Sequence, residues 1–150
     1  ILYRSSPVTS ATDNFALTVW VKASSLTTGG ANKVVVWNGD PHSTGYGIVQ
    51  RDGQFVFRHG NTDLASTNFS TDAWLHLALV RNQGVSRCYA GFVELSSGAG
   101  APLPPTAAFQ IGGDPTVPYG AEFFTGKIDQ VRCYTFPAGT WSLTRLQPPD

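Results

Sequence analysis

The chain has 150 residues, a length that suits one domain with a single sizeable core. Hydrophobic residues make up 41% and charged residues 13%, a balance that excludes intrinsic disorder. Lys plus Arg equals Asp plus Glu, so the chain lacks the basic footprint that nucleic acid or an anionic membrane surface requires.

The apolar runs, such as 34–37, are too short to span a bilayer, so no membrane insertion is expected. There is no Met, and the chain opens Ile1-Leu2-Tyr3, which leads us to expect a single domain over 1–150 excised from a larger protein. Gly and Pro punctuate short β-rich runs throughout, the pattern of an all-β sandwich or barrel.

In chain order, residues 15–22 alternate cleanly. Phe15, Leu17, Val19 and Val21 share one face and Ala16, Thr18, Trp20 and Lys22 the other, which predicts a strand. Trp20 lies opposite the apolar stripe, where it either lines an open sheet face or is covered by a loop. Thr27-Thr28-Gly29-Gly30 reads as a turn, 33–37 as a second strand, and Asn38-Gly39-Asp40-Pro41 as its end. The strongest local signal is a hairpin: Tyr46–Arg51 and Gln54–His59 flank Asp52-Gly53, a preferred two-residue type I′ turn. This register sets Arg51 opposite Gln54 and Tyr46 opposite His59. Ile48, Phe55 and Phe57 then face the core, and Val49, Val56 and Arg58 face away. Residues 74–81 alternate again, with Leu75, Leu77 and Leu79 on one side. Asn82-Gln83-Gly84 turns the chain into a partner over 85–93, followed by a small-residue loop over 96–106. A short strand over 109–111 ends at Gly112-Gly113-Asp114-Pro115, and the last long strand covers 124–134. Residues 138–146 suit one or two turns of helix. No internal repeat or long linker divides the chain.

Cys88 and Cys133 have neither zinc-ligand pairing nor Cys-x-x-Cys spacing. One disulfide between them would close a loop of about 45 residues and stabilise the fold by roughly 4 kcal/mol on the chain-entropy model. Two buried thiols, packed as small hydrophobes, are the alternative.

Four stretches in order carry a family resemblance. They are Asn14-Phe15-Ala16-Leu17-Thr18-Val19-Trp20-Val21-Lys22, Ala73-Trp74-Leu75-His76-Leu77-Ala78-Leu79-Val80-Arg81, Phe109-Gln110-Ile111-Gly112-Gly113, and Phe124-Thr125-Gly126-Lys127-Ile128-Asp129-Gln130-Val131-Arg132-Cys133-Tyr134. Together they resemble a laminin-G-like jelly-roll domain within the concanavalin-A-like lectin/glucanase architecture. The chain departs from that pattern at Cys88-Tyr89-Ala90-Gly91, where a turn Asp or Asn is usual, at Gln130, and at Pro137-Ala138-Gly139. Both cysteines occupy positions that are aliphatic in the family. The resemblance implies a two-sheet antiparallel jelly-roll sandwich with at most a short C-terminal helix. It also implies an extracellular setting, at a cell or virion surface or in a secreted protein, and binding to glycans or extracellular proteins. It names no ligand, because one fold hosts many functions.

Glycosidases of this architecture place two carboxylates close together on one strand. The chain has two Glu, Glu94 and Glu122, neither in such a motif. His42, His59 and His76 lack metal-ligand spacing, and no Ser-His-Asp set stands out, so catalysis is not expected. Family members often hold one structural calcium, which needs six to eight oxygen ligands. The loop residues offered for it are Asp13, Asn61, Asp63, Asp114 and Asp129; Asp129 has an alternative role in bonding backbone at a bulge. Sugar recognition needs an aromatic platform rimmed by polar groups. The 37–46 stretch supplies Trp37, Asn38, Asp40, His42 and Tyr46, with Arg58 and His59 near by and Tyr119 in a second loop. The competing reading has Trp37 and Tyr46 capping the core. Asn68-Phe69-Ser70 fits a glycosylation acceptor. The leading expectation is therefore a non-catalytic carbohydrate-binding or adhesive module. Its rival is a structural or protein-interaction module, such as a surface, capsid or tail component that forms a homo-oligomer. A glycoside hydrolase comes third.

Overall fold

The computed structural model describes residues 2–26, 29–114 and 122–147. The chain is all-β, two antiparallel sheets packed face to face as a sandwich. Its strands are β1 (Leu2–Arg4), β2 (Phe15–Ala23), β3 (Lys33–Asn38), β4 (Tyr46–Arg51), β5 (Gln54–His59), β6 (Thr62–Asn68), β7 (Leu75–Asn82), β8 (Val85–Ala90), β9 (Val93–Gly98), β10 (Phe109–Ile111) and β11 (Gly126–Thr135). One sheet runs β1-β10-β3-β4-β5-β6 and the other β11-β2-β7-β8-β9.

The period-two stripes meet between the sheets. Phe15, Leu17, Val19 and Val21 from β2, Leu77 and Leu79 from β7, and Ile48, Phe55 and Phe57 from the β4–β5 hairpin form one buried cluster. Each such side chain contributes about 1.5–3 kcal/mol of transfer free energy. Across this core the Phe15 and Tyr46 rings stack at 3.7 Å. The predicted hairpin register holds, with Arg51 opposite Gln54 and Tyr46 opposite His59. Asp52 and Gly53 both have positive φ, 49° and 77°, as a type I′ turn demands.

Each sheet also carries apolar residues on its outer face. On the six-stranded sheet these are Val34, Trp37, Val49 and Val56. On the five-stranded sheet Ala16, Ala78, Val80 and Tyr89 are covered by the C-terminal segment through Phe136 and Leu146, with Trp141 packed alongside. That segment holds a single 3-10 turn, Leu143–Leu146, shorter than the helix expected over 138–146. Trp20 is half-buried on this outer face, its ring edge-on to His76 and Phe92.

Several elements differ from expectation. β1, β6 and β9 are additional strands. β9 pairs with β8 where a loop was expected from 96 onward, so the strand predicted over 85–93 ends at Ala90. The last strand starts at Gly126 rather than 124 and breaks register between Asp129 and Arg132. The disulfide is excluded by topology. Cys133 lies opposite Leu17, Leu17 opposite Leu79, and Leu79 opposite Cys88. Three strand spacings put the cysteines about 14 Å apart, twice the roughly 7 Å that a disulfide tolerates between Cα atoms. Both thiols are free, and burial pushes each up to about 12.

Candidate functional site

At one end of the sandwich the β3–β4 loop, residues 39–45, folds back over the outer face of its own sheet. Trp37 is 0% exposed beneath it, and its indole N–H donates to the Thr44 carbonyl at 3.1 Å. Asn38 is equally buried. Its Nδ2 donates to the Thr9 carbonyl and the Tyr46 hydroxyl, and its Oδ1 accepts from the Val8 N–H. The Tyr46 ring lies in the main core. Trp37, Asn38 and Tyr46 therefore present no surface to a ligand, which corrects the expected aromatic platform. Their aromatic-polar composition reflects the anchoring of a loop.

Asp40 shapes that loop. Its Oδ1 accepts from the His42 N–H, its Oδ2 from the Ser43 hydroxyl, and its carbonyl from the Ser43 and Thr44 N–H groups. This places His42 and Ser43 on opposite flanks. On the Ser43 side a cavity of about 230 Å³ is lined by Ser43, His59, Asn61, Thr62, Gly100 and Leu103. Its far wall is held by Arg81, which donates to the Gly100 and Ala99 carbonyls. Burial, then Arg81, lowers His59 to about 4, so His59 is neutral in this wall. Arg58 does not join the cavity. It is 6% exposed and ion-paired to Asp63, which also pairs with Arg51. These contacts hold the Asp63 carboxyl below its usual value against the opposing effect of burial.

On the other flank, His42 Nε2 lies 3.4 Å from Asp114 Oδ2 and 3.5 Å from Glu122 Oε2. Asp114 is wholly buried and the Glu122 side chain is 14% exposed. Burial, and then Asp114, pushes the Glu122 carboxyl up, while His42 opposes the shift. Glu122 belonged to no expected site. Its partners lie eight and eighty positions away, a separation in which no motif is visible.

Among the described residues the five offered for calcium do not converge. Asp13 accepts from the Gly84 and Asn14 N–H groups. Asp63 is committed to the two arginines. Asp129 accepts from the Gln130 N–H at the bulge in β11. Asn61 is exposed at the cavity and only Asp114 joins a cluster, one that includes an imidazole. This arrangement does not fit the all-oxygen shell of calcium. Tyr119 lies outside the described residues.

The opposite end carries a feature that the sequence pattern did not single out. Trp74, just before β7, is 45% exposed. It borders a cavity of about 340 Å³ lined by Asn68, Phe69, Ser70, Ala73, Trp74 and Leu75. The Lys22 ammonium sits 5.8 Å from the Trp74 ring centre, a cation–π contact that braces the indole on one side. Phe69 packs on Phe55 and fixes the floor. Asn68 is exposed and accepts from the Gln54 amide at 2.9 Å.

A two-sheet sandwich with rim cavities has clear relatives. Domain 4 of AbnA, a GH43 extracellular arabinanase from Geobacillus stearothermophilus, solved in complex with arabinotriose, superposes with a TM-score of 0.69 and 25% identity over 91% of this chain and 66% of that one. A putative carbohydrate binding protein from Bacteroides ovatus gives 0.67 and 14%, over 89% of this chain and 41% of that one. Trypanosoma rangeli sialidase gives 0.64 and 18%, over 89% of this chain and 22% of that one. The last two likenesses concern the fold alone, and the chain spans 66% or less of each of the three. No curated protein matches by sequence. A laminin G family model, described as the concanavalin A-like lectin/glucanases superfamily, matches residues 3–139. With nearly the whole sandwich inside that match, the chain belongs to the concanavalin A-like lectin/glucanases superfamily.

Proposed function

We propose that this chain is a non-catalytic glycan-binding module of an extracellular protein, one domain over 1–150, with Trp74 as its platform. The observation that carries the reading is the half-exposed Trp74 indole beside a cavity with Asn68 and Ser70 at its rim. An indole face offers the C–H side of a sugar ring a flat apolar surface, and the amide and hydroxyl can hydrogen-bond hydroxyls at its edge. The arabinotriose-bound neighbour supports arabinotriose as the first ligand to try. The carboxylate pair Asp114 and Glu122 is not arranged for glycoside hydrolysis. Asp114 is fully buried and His42 lies within 3.5 Å of both, so no sugar ring fits between them. No calcium takes part in this reading.

The test is isothermal titration of arabinan oligosaccharides, preceded by a glycan array. Binding lost in Trp74→Ala and kept in Asn61→Ala supports the Trp74 shelf. Binding lost only in Asn61→Ala moves the site to the Ser43–His59 cavity, and a blank on all sugars with folded protein refutes glycan recognition. A second reading, self-association, is favoured by edge strand β9, where Val93 and Leu95 are exposed. Sedimentation velocity showing monomer at high concentration would sink it.

A further inference from the structure

We propose that His42, Asp114 and Glu122 form a site for one divalent cation of the zinc class, which ties the β3–β4 loop to the segments flanking β10 and β11. The three donor atoms lie within 4.8 Å of one another. The imidazole nitrogen stands 3.4 and 3.5 Å from the two carboxylate oxygens. These separations exceed the roughly 2.7–3.2 Å of a good N–H···O bond. They match the spacing of ligand atoms around a tetrahedral metal with bonds of about 2.0–2.2 Å, which is roughly 3.3–3.6 Å. One imidazole and two carboxylates suit zinc, whereas calcium is bound by oxygen alone.

Charge and burial point the same way. Asp114 is wholly buried and the Glu122 side chain is 14% exposed, and the two carboxylates converge on the His42 imidazole, with Arg58 and Lys33 also acting on Glu122. Glu122 Oε2 is buried with no hydrogen-bond partner. A buried anionic oxygen of this kind is costly unless a cation compensates it. The ligands are also anchored before any ion arrives. Asp40 Oδ1 holds the His42 main chain. The Glu122 carbonyl accepts from the Val34 N–H at 2.9 Å, and Gly112, two residues before Asp114, donates to the Val35 carbonyl. The His42 side chain is 52% exposed, which gives an ion a route to the cluster from solvent. The site sits beside the start of β3, where Glu122 and Gly112 bond the Val34 and Val35 main chain; it shares no residue with the Trp74 cavity and does not depend on glycan binding.

The experiment uses tag-free protein stripped with chelator, titrated with zinc chloride and, separately, calcium chloride. The expected result is one zinc per chain, with a melting temperature that rises with zinc concentration. His42→Ala changes an exposed side chain and keeps the wild-type circular dichroism. It and Glu122→Gln should each weaken zinc binding by at least about tenfold, since even outer-shell losses cost that much. Absence of zinc binding, zinc binding unchanged in both variants, or calcium binding as tight as zinc would each overturn the proposal.

Discussion

Replacing Trp37 by Ala removes a ring that is 0% exposed and packed against Val34, Val49 and Val56. It also removes the indole donor to the Thr44 carbonyl. A buried Trp truncated to Ala costs about 3–5 kcal/mol, because the surrounding strands cannot collapse into the cavity. The lost hydrogen bond adds about 1 kcal/mol. The total, about 4–6 kcal/mol, is a large part of the roughly 5–15 kcal/mol of an ordinary domain. At about 2–4 °C per kcal/mol for this size, the melting temperature should fall by roughly 8–24 °C. Thermal and urea unfolding followed by circular dichroism measure it, with Trp37→Phe as the milder partner that keeps most of the packing. A Trp37→Ala protein that melts within about 2 °C of the parent, a surface-like effect, yet no longer binds sugar, would refute the burial of Trp37 and restore it as a platform.

The remaining predictions concern protonation, thiols and one turn. His59 and His76 are each lowered to about 4 by burial, then by Arg81 and Arg132 respectively. The unfolded chain protonates near about pH 6.5, so it binds more protons than the fold below that pH. Stability should fall from about pH 6.5 and level off below about pH 4, by up to roughly 3 kcal/mol per histidine. An acid limb of melting temperature against pH that is unchanged in His59→Gln and His76→Gln would contradict this. Native protein should resist thiol alkylation and melt identically with and without reductant, while two cysteines react in urea. A mass consistent with one disulfide would break the strand register given above. Gly53→Val forces a β-branched residue to a φ near 77°, where ordinary residues lose about 1–2 kcal/mol. Unchanged melting would mean the type I′ turn is wrong.

What the sequence made legible follows the physics of burial. The β4–β5 hairpin was readable because Asp52-Gly53 dictates its turn and both strands are buried. β2 and β7 alternate because one face of each meets the opposite sheet. The strands that escaped notice, β1, β6 and β9, are sheet edges. They have one neighbour each, and β6 and β9 are largely exposed, so no apolar period is imposed on Thr62–Asn68 or Val93–Gly98. The functional reading had a different obstacle. Composition marked the stretch 37–46, yet whether Trp37 faces water depends on a loop folding back over it. Trp74, by contrast, opens a strand whose alternation puts Leu75, Leu77 and Leu79 toward the core and Trp74 on the other side, and whether that side is covered depends on neighbours such as Phe69 and Lys22 that come from other segments. The His42, Asp114 and Glu122 cluster joins residues from three segments, so no local spacing announces it.

The Asn38 clamp has a mechanical consequence. β1 meets the rest of the protein through three residue pairs with β10, an edge attachment. Four residues further on, Val8 and Thr9 are fastened to the buried Asn38 side chain. Tension entering from the N-terminal side would peel β1 first, a small and reversible extension. It would then load Asn38, whose amide is shared with Tyr46 and so with the Phe15 stack at the centre of the sandwich. The domain therefore has a yielding outer stage and a stiff inner one. Under tension applied on the N-terminal side, the first residues extend while Trp74, at the far end of the core from Asn38, keeps its surroundings.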